Sequence, residues 1–123
     1  MCQDETKMPL NPELVDRATH NERLIAEFDI RSTDYLDWVV TVAFYVAVRY
    51  VDAYFWPVHF TSHSERRRGI RNDSRTRPIW NSYRELESSS RDARYELAEF
   101  TVREVESLIA NRMKHVKSHM LRQ

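Results

Sequence analysis

The fold is decided by residues 35–56, YLDWVVTVAFYVAVRYVDAYFW, the most apolar stretch of the 123-residue chain. Its valines and aromatic residues would also suit a buried strand. The polar positions favour a helix, because they fall on one narrow stripe of a helical surface, whereas a strand would turn the last of them away from the others. Five residues mark this stripe: Asp37, Thr41, Tyr45, Arg49 and Asp52. The rest of the circumference is apolar, so we expect a central, largely buried helix.

The same stretch is long enough to span a bilayer. Its three charged residues, Asp37, Arg49 and Asp52, argue against insertion, because each costs about 2.5–3.5 kcal/mol at the bilayer centre. The N-terminus is polar and acidic and lacks an apolar signal core. A single cysteine, Cys2, excludes an internal disulfide. We therefore expect a soluble cytoplasmic protein without membrane association.

On the N-terminal side, residues 1–10 are predicted to be a flexible lead to a single domain over residues 11–123. Asn11 and Pro12 indicate a helix start. Apolar residues then recur at helical spacing, which predicts an amphipathic helix over residues 12–29.

On the C-terminal side, Ser62 and Glu65 have capping-box spacing and predict a short helix over residues 63–71. A fourth helix is expected to begin at Pro78 and to end at the serine triplet of residues 88–90. A long last helix is then expected from Asp92 to about Leu121, with one apolar seam. One glycine and four prolines leave little turn material for an all-β fold. The sequence thus predicts an all-α, antiparallel bundle of about five helices.

Charge is balanced overall but unevenly distributed. Nineteen basic residues match nineteen acidic ones, which excludes a globally basic nucleic-acid binder. Sixteen of the basic residues are arginine, whose planar guanidinium grips phosphates and stacks on aromatic rings. Residues 57–77 carry a net charge of +4, whereas residues 1–56 carry −5. The neutral total therefore hides a local basic segment.

The first candidate site lies at the start of the short basic helix. His63, Arg66 and Arg67 share one helical face in the first turn, where free backbone N–H groups already favour an anion. His63 titrates near neutral pH and could act as general acid or base, while an arginine neutralises developing phosphate charge. The alternative is a solvated arginine face that pairs with the acidic first half of the chain.

The polar stripe of the central helix extends this hypothesis. Tyr45 and Arg49 would face a pocket shared with His63 and Arg94. Alternatively, the charges of the stripe are simply paired, and Asp52 binds either Arg49 or a neighbouring helix.

A third cluster follows the serine triplet. Arg91 and Arg94, next to Tyr95, have the spacing to hold a phosphate and stack a base. The alternative for this cluster is helix capping beside a core tyrosine.

Metal and cofactor signals are weak. His115 and His119 are spaced as two metal ligands on a helix would be, but no third ligand is suggested nearby. One glycine excludes a glycine-rich phosphate loop or dinucleotide fingerprint. We therefore expect neither a metal site nor a cofactor.

Several segments, in their order along the chain, resemble small prokaryotic HEPN-domain proteins (higher eukaryotes and prokaryotes nucleotide-binding) over roughly residues 15–100. The segments are YLDWVVT (35–41), AFY (43–45), VDAY (51–54), Ser62-His63 with Arg66, YREL (83–86) and SRDARYE (90–96). The resemblance implies a bundle of about five helices that forms a homodimer. It also implies RNA or nucleotide binding, and in many members metal-independent endoribonuclease activity in toxin–antitoxin or defence systems, with a nucleotidyltransferase-like partner protein.

In active HEPN members an arginine, four to six intervening residues and a histidine meet across the dimer interface, where the RNA 2′-OH attacks its own phosphate. Here the only such spacing joins Arg112 to His119, near the end of the last helix. Arg49 stands where the resemblance leads us to expect histidine. We therefore take His63 and Arg66 as the substitute catalytic pair, with Arg49, Arg67, Arg91, Arg94, Tyr45 and Tyr95 holding the phosphate or nucleotide. The alternative function is a catalytically inactive helical interaction module, such as a partner or antitoxin subunit.

Overall fold

The structure, a computed structural model, describes residues 9–123. Five helices follow one another in this range, and no strand occurs in it. They are α1 (Pro12–Ala26), α2 (Leu36–Phe55), α3 (His63–Asn72), α4 (Trp80–Tyr95) and α5, which runs continuously through Val102–Ser107, a π-helical segment Leu108–Met113 and Lys114–Leu121. The predicted all-α bundle of about five helices is confirmed. Most of the predicted N-terminal lead, including Cys2, lies outside the described residues.

Helix α2 forms the centre of the molecule. Eleven of its 20 residues are buried, and α1, α4 and α5 all pack against it. By length and composition α2 could cross a membrane, but 61% of its most apolar window is buried inside the bundle. It is therefore built as the core helix of a soluble protein would be, in agreement with the sequence-based interpretation.

Helix α1 begins as predicted, because the Asn11 side chain caps it by accepting a hydrogen bond from the Leu14 N–H at 3.0 Å. It ends at Ala26, three residues earlier than expected. The chain then turns at Asp29, whose carbonyl accepts the N–H groups of Ser32 and Thr33. The Asp29 carboxylate also accepts the Arg31 N–H at 3.2 Å, and a local turn of this kind competes with further helix.

Helix α3 also begins as predicted. The Ser62 hydroxyl accepts the Glu65 N–H at 3.1 Å, and Glu65 reaches back to the Thr61 N–H at 2.8 Å. Gly69 leaves room for a close approach inside this helix, because a Cβ there would lie 2.7 Å from the tip of the Phe60 ring. The glycine that weakens α3 as a helix therefore allows it to pack closely.

The predicted boundary between the last two helices is wrong. A short 3-10 turn, Arg77–Ile79, contains Pro78 and leads into α4. The serine triplet does not end this helix: α4 continues to Tyr95, and Ser90 is buried on the same face as Leu86. The break falls instead at residues 96–101, where Leu97 has φ +52°.

Helix α5 begins at a capping box that the sequence-based interpretation missed. The Thr101 hydroxyl accepts the Glu104 N–H at 3.1 Å, and the Glu104 carboxylate accepts the Thr101 N–H at 2.8 Å. The helix predicted from Asp92 therefore starts at Val102 instead, and Ala98 precedes it rather than joining its apolar seam.

Candidate functional site

A cleft of about 380 Å³ opens between α3 and α4. We call it the α3–α4 cleft. Its size falls within the range of small-molecule sites. Five of its lining residues belong to the predicted site: His63, Arg67, Arg91, Arg94 and Tyr95. The other four are Ser64, Arg84, Glu87 and Ser88.

Helix geometry explains why these side chains meet. Arg84, Glu87, Arg91 and Arg94 follow one another at steps of three, four and three residues, which places them on one face of α4. On α3, His63 and the residue four positions later share a face in the same way. The cleft thus arises where these two faces oppose each other.

The floor of the cleft is a buried carboxylate held between two guanidiniums. Glu87 is 7% exposed. It accepts hydrogen bonds from Arg67 at 2.6 Å and from Arg84 at 2.8 Å. Because one of these arginines lies on α3 and the other on α4, Glu87 joins the two helices and orients both guanidiniums.

The other two arginines of the cleft have no acidic partner within the described part of the chain. Among residues 9–123, neither Arg91 nor Arg94 lies within 4.0 Å of a carboxylate. The Arg94 guanidinium lies 5.1 Å from the ring centroid of Tyr95 and 5.9 Å from that of Tyr45. Four arginines against one glutamate leave the cleft strongly positive. Such a surface attracts anions, and phosphate in particular.

His63 is held as a neutral ring at the edge of this cleft. Burial lowers its pKa from the ordinary value, and the neighbouring Arg66 charge lowers the pKa further. The Arg66 guanidinium donates to Nδ1 of His63 at 3.0 Å, since arginine has no acceptor. Nδ1 is therefore the unprotonated nitrogen, and Nε2–H is the donor available to a ligand.

Arg66 itself is committed to a buried ion pair. Its guanidinium binds both carboxylate oxygens of Asp52, at 2.8 and 3.2 Å, and the residue is 8% exposed. It does not line the cleft. Asp52 thus pairs with a neighbouring helix, one of the two pairings that the sequence left open. In this arrangement Arg66 contacts His63 rather than an open anion site.

The polar stripe of α2 reaches the site only in part. The Tyr45 ring lies 6.3 Å from the ring of His63 and 5.9 Å from the Arg94 guanidinium, but Tyr45 does not line the cleft, contrary to its predicted place in the pocket. Arg49 is partly exposed and does not line the cleft. Of Arg49, His63, Arg66 and Arg94, only His63 and Arg94 line it.

The histidines of α5 belong to other surroundings. Arg112 pairs with Glu85 at 3.1 Å, whereas His119 bonds to the backbone carbonyl of Arg75. Arg112 and His119, the two residues with the arginine–histidine spacing of active HEPN members, therefore bind different partners. His115 bonds to a serine hydroxyl of α4 at 2.7 Å. Within residues 9–123, no group of three or more His, Cys, Asp or Glu side chains could hold a metal ion.

Two important members of the cleft, Arg84 and Glu87, were missed in the sequence. The expected break at residues 88–90 separated them from Arg91 and Arg94. Treating residues 80–95 as one helix would have placed all four on one face.

Comparison with known protein-family models, curated proteins and solved structures gave no match.

Proposed function

We propose that the protein binds a phosphate-bearing ligand, an RNA chain or a nucleotide, in the α3–α4 cleft. The main observation is the pair of arginines, Arg91 and Arg94, that face this cleft without a carboxylate partner among the described residues. A phosphate would supply the missing negative charge and accept hydrogen bonds from both guanidiniums.

The aromatic groups favour a ligand that also carries a base. Tyr95 is 69% exposed next to Arg94, and an exposed ring in water is a ready surface for stacking. A base on Tyr95 would bring its phosphate towards Arg91 and Arg94. His63 would donate from Nε2 to a phosphate or sugar oxygen.

A catalytic role extends this proposal. In an HEPN-like, metal-independent endoribonuclease, the RNA 2′-OH would attack the phosphate as the bond to the 5′-oxygen breaks, and an arginine would stabilise the crowded phosphate. Because Nε2 of His63 already carries a proton, Nδ1 would have to release Arg66 before His63 could take the 2′-OH proton and pass it to the leaving 5′-oxygen. The geometry favours Arg94 over Arg66 for stabilising the phosphate, because Arg66 is bound to Asp52. Arg66 would then act as a positioning residue for His63.

Binding of two ligands is tested separately, AMP and a fluorescein-labelled mixed-sequence RNA. Each is titrated into Arg94→Gln and into the parent protein. Losing one charged hydrogen bond costs about 1.5–3 kcal/mol, so we expect affinity to fall about tenfold or more. Arg23→Gln removes the same charge from an exposed position on α1 and should leave affinity unchanged. Equal affinity in the two variants would contradict binding in the cleft.

Cleavage is tested separately by incubating RNA with the protein in EDTA. We expect cleavage to be lost in His63→Ala and strongly reduced in Arg94→Gln. Cleavage that persists unchanged in both variants would exclude these residues from the chemistry. RNA that binds but stays intact with the parent protein would leave a binding protein without ribonuclease activity.

The second candidate function is a catalytically inactive interaction module. It is favoured by the exposed aromatic side chains Tyr35 and Trp38 at the start of α2, each 58% exposed. Exposed apolar surface of this kind marks protein contacts. We propose a cytoplasmic homodimer, or a complex with a nucleotidyltransferase-like protein. Light scattering on the parent protein and on Trp38→Ala distinguishes a dimer formed through this surface from a monomer.

A further inference from the structure

A second group of arginines lies on an indole ring beside the α3–α4 cleft. The guanidinium carbons of Arg71 and Arg84 lie 5.3 and 5.7 Å from the ring centroid of Trp80. Such cation–π contacts hold both guanidiniums in place. Arg77 extends the same positive surface, since its Nε donates to the Arg71 carbonyl at 2.9 Å.

Arg84 belongs to both groups, which makes them continuous. It lines the cleft through its bond to Glu87 and it covers Trp80 at the far end. Residues 80, 84, 87, 91 and 94 repeat at steps of four, three, four and three along one face of α4. At 1.5 Å per residue this face is about 21 Å long.

Helix α3 runs along this face of α4 in the opposite direction. Arg67 meets Glu87, and four residues later Arg71 meets Trp80. The two helices therefore run antiparallel, and arginines of both lie along the surface where they meet, from the α3–α4 cleft to Trp80; we call this surface the groove. Among residues 9–123, only Glu87 contributes a carboxylate to these contacts, and that carboxylate is buried.

We infer that this groove binds a single-stranded nucleic acid of several nucleotides, with the cleft and the Trp80 end as adjoining subsites. The inference rests on the proposed function and deepens it, because a mononucleotide would occupy the cleft alone. Successive phosphates would lie along the two rows of arginines. Bases would stack on exposed Tyr95 and on guanidinium planes, which a duplex with its bases already stacked cannot use.

The test measures affinity by fluorescence anisotropy for single-stranded RNAs of increasing length and for a duplex of the same sequence. We expect affinity to rise with length until the groove is filled, and the duplex to bind more weakly. Arg71→Gln should weaken binding of the longer strands by about threefold or more, with a salt slope lower by about 0.7. AMP binding should stay unchanged in this variant.

Arg23→Gln is the matched control for lost charge, and Trp80→Leu tests whether the indole positions the arginines. If the parent protein binds neither AMP nor RNA, the proposed function is overturned. Two results would overturn only this inference. In the first, AMP binds in the cleft but the affinity for RNA is independent of length. In the second, Arg71→Gln and Arg23→Gln bind RNA equally well. Heparin competing as well as RNA would overturn the assignment to nucleic acid.

Discussion

At the scale of residues, three side chains connect the core to the candidate site. Asp52 on α2 binds Arg66 on α3, and Arg66 in turn binds His63. Burying the two charges costs free energy that their mutual contact must offset. The pair therefore contributes geometry more than stability: it fixes which nitrogen of His63 is available to a ligand. That geometry keeps the imidazole neutral beside the arginines of the cleft.

The lowered pKa of His63 predicts a pH-dependent stability. Below the ordinary pKa of 6.5, the unfolded chain binds a proton at this histidine more readily than the folded protein does. The contribution of neutral His63 to the free energy of unfolding is therefore complete above the ordinary pKa of 6.5. It is lost as the pH falls towards the lower pKa of the folded protein. We expect the free energy of unfolding of the parent protein to fall between about pH 7 and pH 5, measured by urea denaturation.

The matched variant is His63→Gln, which cannot titrate. Its unfolding free energy should fall less over the same pH range. His115, whose pKa is lowered by burial and by His119, acts in the same direction but remains in both proteins. If the unfolding free energies of the two proteins changed with pH in parallel, the pKa of His63 would be the same in the folded and unfolded chains.

At the scale of helices, capping and packing decide the boundaries more than propensity does. The serines of residues 88–90 are poor helix formers, yet α4 continues through them because the apolar side chains on both sides of the triplet, Leu86 and Ala93, are buried in the bundle. Thr101 and Glu104 instead start α5 by satisfying free N–H groups at its first turn. The loop between these signals includes the positive φ of Leu97.

Replacing Thr101 by alanine should destabilise the protein by about 1 kcal/mol, because the Glu104 N–H loses its capping acceptor. Chemical denaturation measures the change. Thr101→Ser keeps the hydroxyl and should remain close to the parent protein. If the alanine and serine variants were equally stable, the capping box would contribute nothing measurable to α5.

At the scale of the whole molecule, burial is distributed unevenly. Helix α2 buries more than half of its residues, whereas α3 buries only Arg66 and Ile70. One wall of the groove is α4, which packs against the core of the bundle. The other wall is α3, which has few buried residues. Elements with few buried contacts open at lower free energy than the core.

Hydrogen exchange should therefore be faster for the backbone amides of α3 than for those of α2. Adding the longest RNA that binds should slow exchange in α3 selectively, because a ligand in the groove bridges α3 to α4. Mass spectrometry of peptic peptides measures both effects. Protection of α3 equal to that of α2 without ligand would contradict the uneven stability.

Much of the fold was predictable from local patterns. The stripe that includes Tyr45 and Asp52 identified α2 as a buried helix, and the caps at Asn11 and Ser62 located the starts of α1 and α3. These features depend on residues close in sequence, whose spacing alone determines which groups can meet. The cluster of His63 with its arginine neighbours on one face of α3 was predictable for the same reason.

Only the tertiary structure decided which of these groups share a site. The approach of α3 to α4 joins Arg67 to Glu87 across 20 residues, and the approach of α3 to α2 withdraws Arg66 into a pair with Asp52. Both outcomes depend on how the helices pack, and this packing depends on contacts between residues that are distant in the chain. The sequence by itself therefore determined the helices and their candidate arginines, whereas packing determined which of those arginines face the cleft and can bind an anion.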